Sequence, residues 1–179
     1  MARYEIIVGC MFSGKSTELL RRVGRYSAIG KKVLVVNSSL DSRGEGTQTH
    51  SGTRTPATKV RNLMDLVDTQ EYIDSEVIAV DEAQFFGDLV EFHNKCVDDN
   101  GKILIVAGLD GTSEREPFGQ IHMTLCKCDS IVKLNAMDMI TKDGTLAIFS
   151  KRISETWRTI DIGGTDKYIA VSRSNYLKY

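Results

Sequence analysis

Apolar residues in the first two-thirds of the chain form short uninterrupted runs, and segments of helical periodicity separate these runs. The runs, each interpreted as a buried strand, are 6–8, 33–36, 77–80 and 103–106. The positions that recur at helical spacing between them are Leu19, Leu20, Val23 and Tyr26, then Leu63, Leu66 and Val67, then Leu89, Val90, His93 and Val97. Apolar runs without alternation, separated by helices, predict an α/β fold whose parallel sheet is covered on both faces.

The pattern changes at about residue 131. Two short apolar runs, 146–149 and 159–162, predict a small antiparallel unit near the C-terminus. The chain has 179 residues, which is enough for one principal domain with its own core and a small appendage. We therefore expect a principal domain over 1–134 and a small C-terminal domain over 135–179.

A glycine-rich segment lies between the first predicted strand and the first predicted helix. Residues 9–16 read Gly-Cys-Met-Phe-Ser-Gly-Lys-Ser, a complete G-x-x-x-x-G-K-S phosphate-binding loop in the strand–turn–helix context that the motif requires. Its glycines let backbone N–H groups turn toward phosphate oxygens, and the N-terminus of the following helix adds partial positive charge. Lys15 is expected to reach the β- and γ-phosphates of a nucleotide, and the Ser16 hydroxyl to bind Mg²⁺.

Two carboxylates, Asp81 and Glu82, directly follow the third predicted strand. A buried strand would deliver them to the carboxyl edge of the sheet, where ligands bind in open α/β folds. Asp81 is then expected to orient Mg²⁺ or its waters, and Glu82 to act as a general base on an acceptor hydroxyl. An exposed acidic strand end is the alternative interpretation, and the phosphate-binding loop favours the catalytic one.

Charge and composition argue against several classes of protein. The chain has 23 basic and 24 acidic residues and a formal net charge of −1, so no basic surplus points to nucleic acid or to an anionic membrane. No apolar run approaches membrane-spanning length, and the first four residues lead directly into a strand, so we expect no signal peptide. The four cysteines, Cys10, Cys96, Cys126 and Cys128, form no disulfide framework, and a reducing cytoplasmic location is expected.

Further motifs follow the two already described. Residues 81–86 read Asp-Glu-Ala-Gln-Phe-Phe, residues 109–112 read Leu-Asp-Gly-Thr with Pro-Phe-Gly at 117–119, and residues 162–168 read Ile-Gly-Gly-Thr-Asp-Lys-Tyr. With residues 9–19, these motifs resemble those of the type II (cytosolic, P-loop) thymidine kinases over nearly the whole chain. The resemblance implies a RecA-like P-loop core with a small C-terminal β-rich lasso domain. It also implies ATP- and Mg²⁺-dependent phosphorylation of the thymidine 5′-hydroxyl to dTMP in nucleotide salvage, a homotetramer, and feedback inhibition by dTTP.

The resemblance also implies roles for individual positions. Glu82 matches the catalytic base, and Ser16 and Asp81 match the Mg²⁺-binding pair. The ATP- and phosphate-binding positions are Gly9, Met11, Phe12, Ser13, Gly14, Lys15, Ser16, Thr17, Asp81, Gln84 and Arg152. The nucleoside-binding positions are Met11, Phe85, Leu109, Phe118, Ser150, Ile160, Asp161, Gly163 and Tyr168, with 160–164 as the lasso loop whose backbone binds the base edge. Asp41 and Arg43 match a polar pair in the long loop 41–56, which we expect to be a lid or interface loop.

One departure from the family concerns zinc. Many members carry two Cys-x-x-Cys pairs in the small domain, and the matching positions here are Asp138, Thr141, Ser172 and Asn175. This set of oxygen and amide groups is poorly suited to tetrahedral zinc, so no bound zinc is expected. We expect packing to hold the small domain instead, through Leu146, Ile148, Phe149, Trp157, Ile160 and Ile169.

A second departure is Ser113. The family usually has an aromatic residue just after Asp-Gly-Thr, packed on the thymine ring. Base–aromatic stacking is worth about 1–3 kcal/mol, so its loss weakens nucleoside binding roughly five- to a hundredfold unless another ring takes its place. Thymidine stays the favoured substrate, with deoxyuridine the first alternative nucleoside. A nucleotide-binding protein without turnover and a nucleic-acid-stimulated P-loop ATPase are the other function classes considered.

Overall fold

The computed structural model describes residues 1–40, 47–48, 54–154 and 166–178. Its strands are β1 (Arg3–Gly9), β2 (Val33–Ser38), β3 (Thr47–Gln48), β4 (Arg54–Thr55), β5 (Thr58–Val60), β6 (Val77–Val80), β7 (Ile103–Leu109), β8 (Ser130–Leu134), β9 (Ala136–Met137), β10 (Leu146–Ala147), β11 (Phe149–Arg152) and β12 (Tyr168–Val171). Its α-helices are α1 (Lys15–Ala28), α2 (Gln70–Asp74), α3 (Leu89–His93) and α4 (Arg173–Lys178). Short 3₁₀-helices cover Leu63–Leu66, Ala83–Phe85 and Ile121–Lys127, and a π-helical turn, Asn94–Asp99, extends α3.

A six-stranded sheet in the order β5-β2-β6-β7-β1-β8 forms the centre of the fold, and all of its strand pairs are parallel. The four predicted buried strands are confirmed as β1, β2, β6 and β7, the interior strands of this sheet. The edge strands β5 and β8 lack a continuous apolar run because neighbours cover them on one side only; in β8, exposed Ile131 and Lys133 alternate with partly buried positions. The hydrophobic pattern therefore predicts the interior of the sheet and not its edges.

Apolar side chains cover both faces of the sheet, as the sequence predicts. Along β1, Ile6 belongs to the cluster that includes Phe92 of α3, whereas its neighbour Ile7 belongs to the opposite cluster that includes Leu19 of α1. This division follows from the alternation of side chains along a strand. The two clusters together hold β1, β6 and β7 between helical layers, which fixes the carboxyl ends of these strands at one edge.

The helical segments follow the predicted pattern in two of three cases. Helix α1 buries Leu19 and Val23, and α3 with its π-helical turn ends at Asn100–Gly101 as expected. The predicted helix through Leu63, Leu66 and Val67 is only a 3₁₀ turn, and α2 starts afresh after it. The reason is local: Thr69 caps the new helix, its hydroxyl accepting the Tyr72 amide at 3.3 Å.

The C-terminal segment contains two antiparallel strand pairs, β9 with β10 and β11 with β12. The predicted strand 146–149 divides into β10 and β11, whereas 159–162 lies outside the described residues. Our expectation that large side chains pack this segment is wrong for Leu146, which is 52% exposed. Among the described residues of the segment, the buried apolar ones are Ala136, Ala147, Tyr168, Ala170 and Val171. Trp157 and Ile160 lie outside the described residues, and the domain boundary after residue 134 stays a prediction. None of the helices in the described ranges has the length and apolar character needed to cross a membrane.

Candidate active site

The phosphate-binding loop connects β1 to α1 at the carboxyl edge of the sheet. Gly9 ends β1 with φ of 154°, and a Cβ there would lie 2.3 Å from the Leu134 carbonyl oxygen and 2.8 Å from the Ser13 hydroxyl. Side-chain carbons do not approach other atoms this closely, so only glycine allows the end of β8 to pack against the start of the loop. The predicted residues Gly9, Met11, Phe12, Ser13, Gly14, Lys15, Ser16 and Thr17 all lie in this loop or in the first turn of α1.

The loop is curled around the carbonyl of Cys10. That oxygen accepts hydrogen bonds from the Lys15 ammonium at 2.7 Å and from the Ser13 hydroxyl at 2.8 Å. Phe12 (φ 64°) and Gly14 (φ 83°) both have left-handed backbone conformations, which turn the chain into α1. A left-handed phenylalanine is strained, and such strain is concentrated at functional sites.

The two predicted carboxylates lie directly beside this loop. The Asp81 carboxylate accepts the Glu82 amide at 3.0 Å and is hydrogen-bonded by the Ser16 hydroxyl. Burial raises the pKa of Asp81, and the neighbouring Glu82 carboxylate raises it further. Burial lowers the pKa of Lys15, while the Glu82 and Asp81 carboxylates oppose that change. The four residues proposed for phosphate, metal and proton chemistry therefore share one electrostatic environment.

Gln84 fixes the Glu82 side chain. Glu82 has φ of 52°, a left-handed conformation rare for a non-glycine residue, and it precedes the 3₁₀ turn Ala83–Phe85. The Gln84 side-chain amide donates to a Glu82 carboxylate oxygen at 2.6 Å, and its own oxygen accepts the Leu109 amide at 3.0 Å. The sequence motif indicates that Gln84 belongs to the site, but its link between Glu82 and the end of β7 is visible only in the structure.

Gly119 supports Gln84 from the other side. Its φ is 65°, and a Cβ at this position would lie 2.2 Å from the Gln84 carbonyl oxygen. The Pro-Phe-Gly motif pointed to this segment, but no feature of the sequence indicates which contact requires the glycine. The loop after β7 therefore packs directly on the turn that carries the candidate base.

Two of the predicted nucleoside-binding aromatic residues are in contact. The rings of Phe85 and Phe118 meet edge to face, with centroids 5.7 Å apart and an interplanar angle of 88°. Both side chains are only partly buried, which distinguishes them from fully buried Phe86 beside them. Leu109, at the end of β7, is partly buried as well. These residues provide apolar surface on the Gln84 side of the phosphate-binding loop.

Strand β11 brings the remaining described candidates to the loop. The Ser150 hydroxyl accepts the Met11 amide at 2.9 Å. In the antiparallel pair β11–β12, Arg152 is opposite Tyr168, and the Arg152 guanidinium lies 5.6 Å from the centroid of the Tyr168 ring. The remaining candidates Ile160, Asp161 and Gly163, the rest of loop 160–164, and the pair Asp41 and Arg43 lie outside the described residues. Of the loop 41–56, the described part includes β3 and β4, which pair antiparallel.

The four positions that match the family's cysteines come together around the Asp138 carboxylate. One of its oxygens accepts the amides of Ile140 and Thr141 at 2.8 and 3.1 Å; the other accepts the Ser172 amide at 2.6 Å and the Asn175 side-chain amide at 2.9 Å. Burial alone would raise the pKa of Asp138, but these hydrogen bonds outweigh it and hold the pKa well below its usual range. In the described ranges, no cluster of three or more His, Cys, Asp or Glu side chains could hold a metal ion, and the absence of zinc stays a prediction.

Comparison with known proteins gives a consistent result. A family model described as "TK: Thymidine kinase" matches residues 2–176. The thymidine kinase of Yaba monkey tumor virus is 45% identical over 174 residues, covering 97% of this chain and 93% of that protein. The thymidine kinase of vaccinia virus (strain Western Reserve) is 42% identical over 174 residues, covering 97% and 96%. Thymidine kinase a of Arabidopsis thaliana is 42% identical over 177 residues, covering 96% of this chain and 74% of that protein.

Proposed function

This chain belongs to the thymidine kinase family, and we propose that Lys15, Ser16, Asp81 and Glu82 carry out its reaction. The enzyme phosphorylates thymidine to dTMP and uses ATP as the phosphoryl donor. The observation that carries the proposed roles is that the Glu82 carboxylate lies beside the phosphate-binding loop. The Gln84 side-chain amide fixes it there by donating to one of its oxygens at 2.6 Å. This arrangement combines the three requirements of phosphoryl transfer: phosphate binding, charge neutralisation and proton removal.

The loop binds the phosphates of ATP. Its backbone amides and the N-terminus of α1 face the β- and γ-phosphates, and Lys15 contacts their oxygens. The ammonium group is already held at the loop by the Cys10 carbonyl, 2.7 Å away, so little rotamer entropy is lost when a phosphate oxygen replaces that partner. Arg152 of β11 supplies a second cation toward the same phosphates.

Ser16 and Asp81 fit the requirements of a magnesium site. Magnesium prefers oxygen ligands and takes only one or two of them from the protein in phosphate sites. The Ser16 hydroxyl and the Asp81 carboxylate are such groups, and their mutual hydrogen bond holds both at the mouth of the phosphate-binding loop. When bound, Mg²⁺ would neutralise negative charge on the phosphates of ATP. Asp81 thus orients the Ser16 oxygen as well as contributing its own charge.

Glu82 removes the proton of the thymidine 5′-hydroxyl. As the 5′-oxygen forms its bond to the γ-phosphorus, the bond from that phosphorus to the bridging oxygen breaks, ADP leaves, and the hydroxyl proton passes to the Glu82 carboxylate. A positioned general base of this kind contributes about 10²–10⁴-fold to a rate. The hydrogen bond from the Gln84 amide holds the Glu82 carboxylate in position for this step.

The nucleoside occupies the side of the site formed by the aromatic pair. Phe85 and Phe118 contact the base, with Leu109, Met11, Ser150 and Tyr168 around it. Because Ser113 replaces the family's usual aromatic residue, this pair supplies the stacking surface of the described part of the site. Feedback inhibition by dTTP has a simple basis here, since dTTP presents thymine to this pocket and a triphosphate to the loop.

The enzyme acts as a homotetramer in the cytoplasm in this proposal, which the family resemblance supports. Light scattering of the purified protein tests the oligomeric state directly: a mass of about four chains is expected, and a monomer at micromolar concentration contradicts it. Inhibition by dTTP that is relieved by excess thymidine tests the shared pocket.

A nucleoside panel tests the substrate. Phosphoryl transfer from ATP in the presence of Mg²⁺ is measured separately with thymidine, deoxyuridine, deoxycytidine and deoxyguanosine. We expect the largest kcat/KM with thymidine. Faster turnover of deoxyuridine would leave the mechanism unchanged and show that the enzyme with Ser113 prefers a different base. ATP binding without turnover of any nucleoside would contradict the proposed roles and favour a nucleotide-binding protein.

A further inference from the structure

The C-terminal helix α4 contacts the loop that leads from β7 toward Phe118. The Tyr176 hydroxyl donates a hydrogen bond to the Ser113 carbonyl oxygen at 2.7 Å, across 63 residues of sequence. Tyr176 is partly buried at this contact. The loop, residues 110–119, carries the Ser113 position and the Phe118 ring, so a residue outside every recognised motif touches the nucleoside side of the site.

A cluster of rings and cations strengthens this contact. The Tyr176 ring lies 5.2 Å from the Phe149 ring, and the Arg115 guanidinium of the loop lies 4.6 Å from the Tyr176 centroid and 5.6 Å from that of Phe149. Arg115 has φ of 66°, a strained conformation that tertiary contacts must maintain. The hydroxyl and the ring of Tyr176 therefore hold two successive parts of the same turn.

The loop is stiff enough to transmit this restraint. The Thr112 amide donates to the Glu116 carbonyl at 2.8 Å, and the Arg115 amide donates to the Thr112 carbonyl at 3.0 Å. Two backbone hydrogen bonds close the turn from 112 to 116, only one residue before Pro117 and two before Phe118. A shift at Ser113 or Arg115 therefore moves the aromatic residue that follows.

Helix α4 is itself anchored independently of the loop. The Asp138 carboxylate accepts the Ser172 amide and the Asn175 side chain at the start of the helix, and the Tyr176 amide donates to the Ser172 carbonyl at 2.9 Å. Strand β11, which carries Phe149, is hydrogen-bonded to the phosphate-binding loop through the Ser150 hydroxyl. Tyr176 thus extends from a fixed support.

We propose that Tyr176 is a positioning residue for nucleoside binding: it holds loop 110–119 so that Phe118 faces the base. The inference rests on the proposed function, in which Phe118 contacts the nucleoside. Neither the hydroxyl nor the ring of Tyr176 touches Lys15 or Glu82 in the described contacts. Its loss should therefore weaken nucleoside binding and leave ATP binding and the chemical step nearly unchanged.

Two substitutions separate the hydroxyl from the ring. Tyr176→Phe removes one hydrogen bond, and we expect the thymidine KM to rise about 2- to 10-fold. Tyr176→Leu also removes the ring contacts, and a rise of about 10- to 100-fold is expected. For both variants the ATP KM and kcat should stay within about twofold of the wild type, because uniform loss of nucleoside binding raises KM alone.

Tyr72→Phe is the matched control. The Tyr72 hydroxyl also donates a hydrogen bond over a long sequence separation, to the Asn100 side chain at 2.9 Å, but it lies at the opposite edge of the sheet. The same chemical change there should leave the thymidine KM unaltered. Calorimetric titration of each variant with thymidine alone gives a second measurement that needs no turnover, and circular dichroism verifies that all variants are folded.

The possible results distinguish this inference from the proposed function. Wild-type enzyme that turns over thymidine, with Tyr176 variants that keep the wild-type thymidine KM and affinity, contradicts the inference alone. An equal rise in the KM of ATP and thymidine also contradicts it, since the effect would then not be confined to the nucleoside. Wild-type enzyme that does not phosphorylate thymidine contradicts the proposed function, and the inference with it.

Discussion

Replacing Asp138 with asparagine tests what holds the C-terminal segment together. The carboxylate is 2% exposed and accepts four hydrogen bonds, from the amides of Ile140, Thr141 and Ser172 and from the Asn175 side chain. An asparagine side chain has one oxygen and one NH₂ group. In either orientation of the side chain, its NH₂ group faces two N–H donors, and it cannot accept a hydrogen bond from either of them.

The cost follows from this count. Each buried donor left without an acceptor costs about 1–3 kcal/mol, so two of them lower the free energy of unfolding by about 2–6 kcal/mol. Natural domains have about 5–15 kcal/mol of stability in total, so the loss is a large fraction of it. For a chain of this size, the melting temperature falls by about 2–4 °C for each kcal/mol, which gives a decrease of roughly 4–24 °C.

Acid should reduce the difference between the two proteins. The hydrogen bonds hold the pKa of Asp138 well below its usual range, whereas in the unfolded chain an aspartate has a pKa of about 3.9. Between these two values the unfolded chain binds more protons, so the contribution of Asp138 is fully present above about pH 4 and is lost as the pH falls toward the lower value. Asparagine has no proton to gain and lacks this dependence.

Urea unfolding, followed by circular dichroism at pH 7 and at pH 3.5, measures both effects. Asp143→Asn is the matched control because Asp143 is an exposed aspartate of the same β9–β10 connection, and its carboxylate accepts the Thr145 amide at 2.9 Å. The control should keep close to wild-type stability, because substitutions at exposed positions away from buried networks have small effects. Wild-type stability in Asp138→Asn at pH 7, or a deficit that is equally large in acid, would show that the hydrogen-bonded carboxylate is not what holds this segment.

Three further outcomes are expected. Gly119→Ala should lower both stability and kcat, because its Cβ would lie 2.2 Å from the Gln84 carbonyl oxygen. The control is Gly144→Ala: Gly144 has φ of 92° and open space around it, so this substitution should cost only about 1 kcal/mol of stability and leave kcat unchanged. Equal effects of the two substitutions in unfolding and turnover assays would refute this. Phe118→Ala should raise the thymidine KM roughly five- to a hundredfold and leave the ATP KM unaltered; an unchanged thymidine KM in steady-state kinetics would remove Phe118 from the nucleoside site. Elemental analysis of the purified protein should find no zinc. One zinc ion per chain would contradict the prediction that Asp138 and the other three positions matching the family's cysteines do not bind zinc.

The sequence predicts the interior of this fold well because burial on both sides leaves a strong local signal. Strands β1, β2, β6 and β7 are continuous apolar runs, but the edge strand β8 contains Lys133 and alternates in exposure, so the same criterion misses it. The helix expected through Leu63 fails for a related reason, since Thr69 offers a better start for a helix than the apolar spacing before it. Local hydrogen bonding decides such boundaries.

The candidate site divides in the same way. Lys15 and Glu82 follow from short motifs, because phosphate binding and proton removal require particular residue types at fixed spacing. The contact of Gln84 with Leu109 spans 25 residues, and that of Tyr176 with Ser113 spans 63, so neither leaves a pattern in the sequence. Contacts of this kind are determined by how the strands and helices meet, and the structure is needed to find them.

Glu82→Gln shows whether the reaction needs the Glu82 carboxylate as its general base. The substitution keeps an oxygen that can accept the Gln84 amide, as Glu82 does at 2.6 Å, and removes the ability to take a proton together with the negative charge. With thymidine and ATP in the presence of Mg²⁺, we predict that kcat falls about 10²–10⁴-fold while the affinity for ATP, measured by calorimetry, stays within about twofold. Glu91→Gln, at an exposed position of α3, should retain wild-type kcat. Near-normal turnover of Glu82→Gln would contradict the account, because the reaction would then proceed without the base around which the site is organised.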